Sequence, residues 1–296
     1  MQFRTKQPDT RNGENGMKIK ILSDSTCDLS QVLLEKYDIT VIPLTVIKGG
    51  EPYQDGITIT PADIFAYVDA TGELCSTTAT NIDEYSQWFA KFTNDFDYVF
   101  HITLGSGFSS SCQNAKLAAE DFPNVKVIDS MNLSTGQGLV VLKACELAAG
   151  CEDADKMEQA LNDFTSRVEA SFLLDQLQYM VKGGRCSSAA ALGANLLNLK
   201  PCIEVKDGKM SVVKKYRGNY AKCLASYVKD RLSGREDLEK DTLFVTCTTV
   251  SDECFQAVKD MVDAYGDFEN IYWTTAGCTV TCHCGPSTLG VLFVRK

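Results

Sequence analysis

The segment DYVFHITLGSGFSSSCQNAKLAA, Asp97 to Ala119, constrains the fold of this chain more than any other. Its first part, Tyr98 to Leu104, is apolar and rich in β-branched and aromatic residues, which predicts a buried strand. Glycine and serine then dominate Gly105 to Ser111, and from about Cys112 the pattern predicts a helix with small residues on one face. Strand, tight turn and helix form the building unit of a parallel sheet covered by helices. The same turn suits a small anion, because the first N–H groups of a helix lack intrahelical partners and the helix dipole is positive there. It is not a phosphate loop of the Walker type, since no Lys-Ser/Thr follows the glycines, and no G-x-G-x-x-G is present. An ordinary serine-capped helix is the alternative reading of this turn.

The rest of the chain repeats the unit. Met17 to Leu22 predicts a first strand, and the Ser/Asp-rich turn from Ser23 to Asp28 caps a helix over Ser30 to Tyr37. Ile39 to Ile47, interrupted by Pro43, reads as an extended segment near a sheet edge. Tyr53 to Gly56 reads as a loop, and Thr60-Pro61-Ala62-Asp63 starts a helix. Cys75 to Asn81 is a hydroxyl-rich loop before a helix over Asp83 to Thr93. Val125 to Ile128 is a strand, and Ser134 to Ala149 a helix. Four hydroxyl-bearing turns, at Ser23–Ser25, Ser76–Thr80, Ser106–Ser111 and Ser130, fall at the carboxyl ends of these strands, where open α/β sheets bind ligands. Gly150 to Asp155 is an acidic junction. Beyond it, a hairpin across Asp207-Gly208 (strands Leu199–Val205 and Lys209–Lys214) brings in an antiparallel component. Helices over Tyr220–Leu232 and Ser251–Tyr265 alternate with strands Thr242–Cys247 and Ile271–Thr274, and Leu289 to Arg295 is a last strand. The expected fold is therefore two α/β domains: a mostly parallel, Rossmann-like sheet over residues 17–152, and a mixed sheet with helices over 153–296. Residues 1–16 are polar and without an apolar core, so they read as a disordered leader or tag rather than a signal peptide.

At 296 residues, with 44% hydrophobic and 23% charged side chains, the chain has material for two cores. No apolar run approaches the roughly 20 residues of a membrane span. A net charge of −10 argues against nucleic acid or an anionic membrane as the main partner, with local basic patches at Lys182–Arg185 and Lys214–Arg217. The 13 cysteines, with no secretory signal, read as reduced and mostly buried thiols of a cytoplasmic protein.

There are two histidines. His101 lies inside the strand YVFHITL and reads as a satisfied core residue. His283 lies in TCHCGP, read as a loop between strands, and three roles compete for it. A metal site with Cys278, Cys282 and Cys284 suffers from poor spacing. A Cys–His nucleophilic pair lacks an evident elbow or orienting residue. A hydrogen-bond donor to an anionic ligand needs only this histidine near the hydroxyl turns, and is preferred. Arg185, after Gly183-Gly184, is either a fork for carboxylate or phosphate or a surface charge. No Gly-x-Ser-x-Gly elbow accompanies Ser109–Ser111, and no paired-carboxylate site is evident.

The stretches IKILSDSTCDLS, STTAT, ITLGSGFSSSCQNA, VIDS, GGR, LNLKPCIEVKDGK and HCGPSTLG, in this order, resemble the DegV family of fatty-acid-binding proteins, which includes the FakB subunits of bacterial fatty acid kinase. The resemblance runs from Met17 to Lys296. It implies a long-chain fatty acid held in a buried apolar pocket, its carboxylate bound by hydroxyls and a histidine. The carboxylate is presented to a separate ATP-binding kinase subunit. It implies a carrier rather than an enzyme, with no cofactor or metal, no nucleic-acid partner and no stable membrane insertion. Carried onto this chain, the carboxylate ligands are Ser76, Thr77, Ser106, Ser109 and His283, the acyl wall includes Phe108, Leu173, Leu192, Leu196 and Leu197, and Arg185 contacts the kinase or the phosphate. Two departures stand out. The family's Thr-Ser-x-Pro-Ser loop is STTAT here, which leaves open whether Ser76 or Thr77 faces the ligand. The usual Ser-Ser-Gly-Leu-Ser-Gly-Thr is GSGFSSS, which sets Phe108 at the border of head-group site and acyl channel. A hydrolase or phosphotransferase using the same pocket on a small acidic substrate is the rival function.

Overall fold

The first strand, β1 (Ile19–Asp24), is buried almost end to end and takes a central place in a parallel sheet. The structure, a computed structural model, describes residues 16–191 and 199–296. The expected leader therefore falls, but for Gly16, outside the described residues, and so do Leu192, Leu196 and Leu197. After a 3-10 turn at Ser25–Cys27 come α1 (Gln31–Lys36), β2 (Thr40–Ile42), β3 (Thr45–Lys48), β4 (Glu51–Gln54), α2 (Pro61–Thr71), β5 (Ser76–Thr78), α3 (Ile82–Ala90), β6 (Tyr98–Thr103), α4 (Ser111–Ala119), β7 (Val125–Asp129) and α5 (Ser134–Ala148). The second half runs through α6 (Ala154–Thr165), β8 (Val168–Leu173), α7 (Gln178–Gly183), α8 (Ser187–Ala190), β9 (Leu199–Lys206), β10 (Lys209–Arg217), α9 (Tyr220–Leu232), β11 (Leu238–Cys247), α10 (Asp252–Tyr265), β12 (Asn270–Thr275), α11 (Cys278–Cys284) and β13 (Leu289–Arg295).

Three sheets result. The parallel one has the order β2-β1-β6-β7, and β6 is buried from Val99 to Thr103 because helices cover both faces. Tyr85 and Phe89 of α3 and Ala115 and Ala118 of α4 pack on one side. Leu139, Val140 and Val141 of α5 pack on the other. The second sheet is mixed, with the order β10-β9-β8-β13-β11-β12. Helices α9 and α10 cover one face with Leu224, Val228 and Val258. Its opposite face contributes Ala170, Phe172, Ile203 and Leu292 to the same apolar cluster as α5, so the two halves share a core. The β9–β10 hairpin turns through Asp207 and Gly208 with φ of 50° and 68°, the type I′ geometry that Asp-Gly favours.

The third sheet, antiparallel β4-β3-β5, differs from the sequence expectation. Tyr53 and Gln54, read as part of a loop over Tyr53 to Gly56, belong to β4, and Ser76–Thr78 of the hydroxyl-rich loop form β5. Pro43 breaks the extended segment there, so β2 stays in the parallel sheet and β3 leaves to pair with β4 and β5. A second correction concerns His283, which lies on α11 and not in a loop. The residues CTVTCHC are poor helix formers. The helix is held from outside: Asp28 accepts a hydrogen bond from the Gly277 N–H, and Asp55 accepts from the N–H groups of Cys278 and Thr279. These two acidic side chains satisfy N-terminal donors that a local sequence would have to cap.

Candidate functional site

A cleft enclosing about 560 Å3, part of it open to solvent, lies where the parallel sheet's carboxyl edge, the small sheet, α7 and α11 meet. A second cavity of about 400 Å3 adjoins it, and Leu133, Val280 and Cys284 belong to the walls of both.

The polar end of the first cleft is built on β5 and α11. The Thr77 hydroxyl lies 2.8 Å from His283 Nε2. Pairing of β5 with β3 sets Thr77 opposite Val46, and side chains alternate along a strand. Thr77 is thereby turned towards α11, and Ser76 is exposed and off the cleft wall. The choice between Ser76 and Thr77 was one of strand register, which a loop reading could not decide. His283 is pushed down to about 4, chiefly by burial and then by the Arg185 charge, so the imidazole is neutral near pH 7. Its Nδ1 is buried with no hydrogen-bond partner among the described residues. Gly183 explains the tight fit, since a Cβ there would stand 2.5 Å from Nδ1.

Arg185 is exposed on the rim, its Nη1 donating to the Gly183 carbonyl at 2.6 Å, and it also lines the cleft. Ser109 and Phe108 are on the wall as well, and the Ser109 and Ser111 hydroxyls hydrogen-bond each other at 2.9 Å. Ser106 is elsewhere. It is exposed and off the wall, and its N–H donates to Asp129 Oδ1 at 3.1 Å. The Ser130 hydroxyl closes its own turn on the Asn132 carbonyl. Leu173 faces away, packing in the α9–α10 core, while its neighbour Phe172 lines the second cavity. A one-residue step along β8 separates the two roles.

Several wall residues carried no sequence signal: Leu44, Met180, Met210, Thr279 and Val280. Thr26 also lines the cleft; it directly follows the Ser23–Ser25 hydroxyl turn, so a turn drawn one residue longer would have found it. His101 is fully buried with Nε2 3.1 Å from Asp24 Oδ1, beside the Tyr85 hydroxyl on the same oxygen. The other Asp24 oxygen accepts from the Leu104 N–H and anchors the turn that leads to Phe108. Among the described residues no three His, Cys, Asp or Glu side chains gather as a metal site. The thiol of Cys284 is pushed up to about 12 by burial, which leaves it a poor nucleophile beside His283.

The family model described as "Uncharacterised protein, DegV family COG1307" matches residues 18–296. The chain belongs to the DegV family. A DegV domain-containing protein of Clostridium acetobutylicum is 30% identical over 284 residues, which is 94% of this chain and 99% of that protein. Among solved structures, a DegV family protein from Thermus thermophilus, described for its fatty acid binding, superposes with a TM-score of 0.85 at 26% identity, covering 95% of this chain and 100% of its own. DegV of Bacillus subtilis, described as a fatty acid binding protein, gives 0.81 at 25% identity over 95% and 100% of the two chains. A stearic acid-binding protein from Eubacterium ventriosum gives 0.78 at 26% identity over 94% and 98%. The α/β architecture, a parallel sheet followed by a mixed sheet with helices, is thus the DegV fold. No helix among the described residues is long and apolar enough to cross a membrane.

Proposed function

We propose that this chain binds a long-chain fatty acid, with the carboxylate at Thr77 and His283 and the alkyl chain running past Phe108 towards the second cavity. The observation that carries the reading is the polarity of the paired cavities. One end holds the Thr77–His283 contact beside Arg185, and the other is apolar. The hydroxyls around the second cavity are engaged elsewhere: Ser134 with Asp28, Ser171 with Tyr227, Thr246 with Thr135 and Thr274, Thr248 with the Gly285 carbonyl and Thr288 with the Cys284 carbonyl. They leave methyl and methylene groups for an alkyl chain. Burying that chain gains roughly 0.8 kcal/mol per CH2. Burying the carboxylate is costly unless donors meet it. A neutral imidazole and hydroxyls supply donors without a competing fixed anion, and Ser109 is placed to join them.

The chain acts, on this reading, as a cytoplasmic carrier without chemistry of its own, and presents the carboxylate to a separate ATP-dependent kinase subunit for acyl-phosphate formation. Arg185, exposed at the rim, is the residue for that partner or the phosphate. The Thr77–His283 spacing also suits a nucleophile and its base, which favours a hydrolase as the second reading. The Nδ1, without a partner among the described residues, and the lowered imidazole pKa speak against it, because a base needs an orienting group and a pKa nearer the working pH.

Mass spectrometry of lipid extracted from the purified protein tests the choice. The expected result is a bound fatty acid, with affinity falling on the order of tenfold in Thr77→Val, the loss of one hydrogen bond to a charged group. No bound or binding fatty acid, together with hydrolytic turnover that disappears in His283→Ala, would establish the hydrolase instead.

A further inference from the structure

Thr77 and His283 come from distant parts of the chain, and theirs is one of two polar contacts that tie α11 to the small sheet or to the residue next to it. The other is Asp55, which directly follows β4 and is buried. Its backbone N–H donates to the Leu44 carbonyl at 2.9 Å. Its carboxylate accepts from the Cys278 N–H at 2.8 Å, the Thr279 N–H at 3.0 Å and the Ser25 hydroxyl at 3.0 Å. Ser25 Oγ in turn accepts from the Leu44 N–H at 3.1 Å. Both oxygens of Asp55 thus hold the first turn of a helix whose last turn carries His283.

We propose that Asp55 is a positioning residue for the head-group site, fixing α11 against the small sheet so that His283 meets Thr77. The path between them is hydrogen-bonded or packed at every step. Strand β4 pairs with β3, and β3 with β5, which carries Thr77. Val46, Ile59, Ile64, Cys75, Cys278 and Cys282 fill the space between sheet and helix as one buried cluster. The helix has seven residues, so it spans about 10 Å and moves as a single body. Asp28 holds only the Gly277 N–H at the same end, and it does so from the parallel-sheet side. It cannot set the helix relative to β5 as Asp55 does. A shift of α11 would open the 2.8 Å contact and misplace the donor that meets a carboxylate, while the apolar walls would still accept a chain.

The proposal rests on the fatty-acid reading, and its test separates the two. Dissociation constants are measured for palmitic acid and for the alcohol of the same chain length, with the parent, Asp55→Ala and Asp55→Asn. Asp55→Asn keeps the volume and one acceptor oxygen, so it carries the test if Asp55→Ala fails to fold. Affinity for the acid is expected to fall on the order of tenfold, with the alcohol nearly unchanged. Nitrogen NMR of His283 is expected to show its titration moving up from its low value, because the ring is no longer held in its dry place. Equal weakening of acid and alcohol, or unchanged acid affinity in both variants, overturns the positioning role. If the parent binds neither lipid, the fatty-acid reading fails. The His283 titration then still decides the positioning role, which falls if that titration is the same in parent and variants.

Discussion

Two ionisable residues at the two ends of α11 have opposite pH behaviour, and both owe it to burial. The Asp28 carboxyl is pushed up to about 8 by burial, with the Asp55 carboxylate adding to the push and the Ser134 hydroxyl and Gly277 N–H opposing it. In the unfolded chain it returns to the ordinary 3.8. Between these values the native state keeps a proton that the unfolded state has released. This stabilisation is therefore lost as pH rises and is gone above about 8. His283, held down to about 4 by burial and Arg185, works the other way: its contribution is complete above 6.5 and lost as pH falls. From pH 6.5 to 8 the Asp28 effect stands alone. Asp28→Asn, which keeps an acceptor for Gly277, should gain on the parent by at most about 2 kcal/mol over that interval. Urea unfolding at stepped pH measures the difference, and parallel curves for the two proteins would rule the effect out. Nothing in DSTCDL announces it, because the burial comes from residues more than a hundred positions later.

At the scale of elements, α7 and α11 meet where Gly183 abuts the imidazole of His283. Two effects of Gly183→Ala compete. Helix propensity favours alanine by up to about 1 kcal/mol. Overpacking costs roughly 1–3 kcal/mol, and the new Cβ would lie 2.5 Å from a ring atom that is itself hemmed in. The clash should prevail. The expected outcome is a displaced His283 and weaker fatty-acid binding, read by isothermal titration, with the melting temperature level or lower. Elements whose signals are local were legible in the chain: the type I′ hairpin at Asp207-Gly208, α9 over Tyr220–Leu232 and β13 over Leu289–Arg295 lie where the pattern set them. Those whose stabilisation comes from afar were not. Strand β5 exists through pairing with β3, and α11 through carboxylates more than two hundred residues earlier. The candidate site suffered most, since its polar end is made of these two elements.

For the molecule as a whole, one apolar cluster reaches from Ile21 in β1 to Val294 in β13. Helix α5 joins the halves, with the hydroxyls of Thr135 and Thr246 bonded at 2.6 Å. The two sheets could be foreseen from the alternation of elements and the acidic junction after α5, whereas the shared core could not, because no pattern in either half shows which face the other covers. A common core predicts a single cooperative transition. The chain has two tryptophans, Trp88 on α3 and Trp273 on β12. Denaturation of Trp88→Phe and Trp273→Phe, each reporting on one half, should give coincident fluorescence curves, and separated midpoints would mean that the halves unfold independently. A last consequence belongs to α11. Val280 and Cys284, four residues apart and so on one face, form part of the partition between the two cavities, while His283 beside them lies at the polar end. If the proposed fatty acid lies there, one short lever bears on both hold and reach. On the proposed reading, a substitution that tilts it would alter head-group affinity and chain-length preference together, whereas wall residues on other elements, such as Phe108 and Phe172, offer a way to tune length without touching the grip.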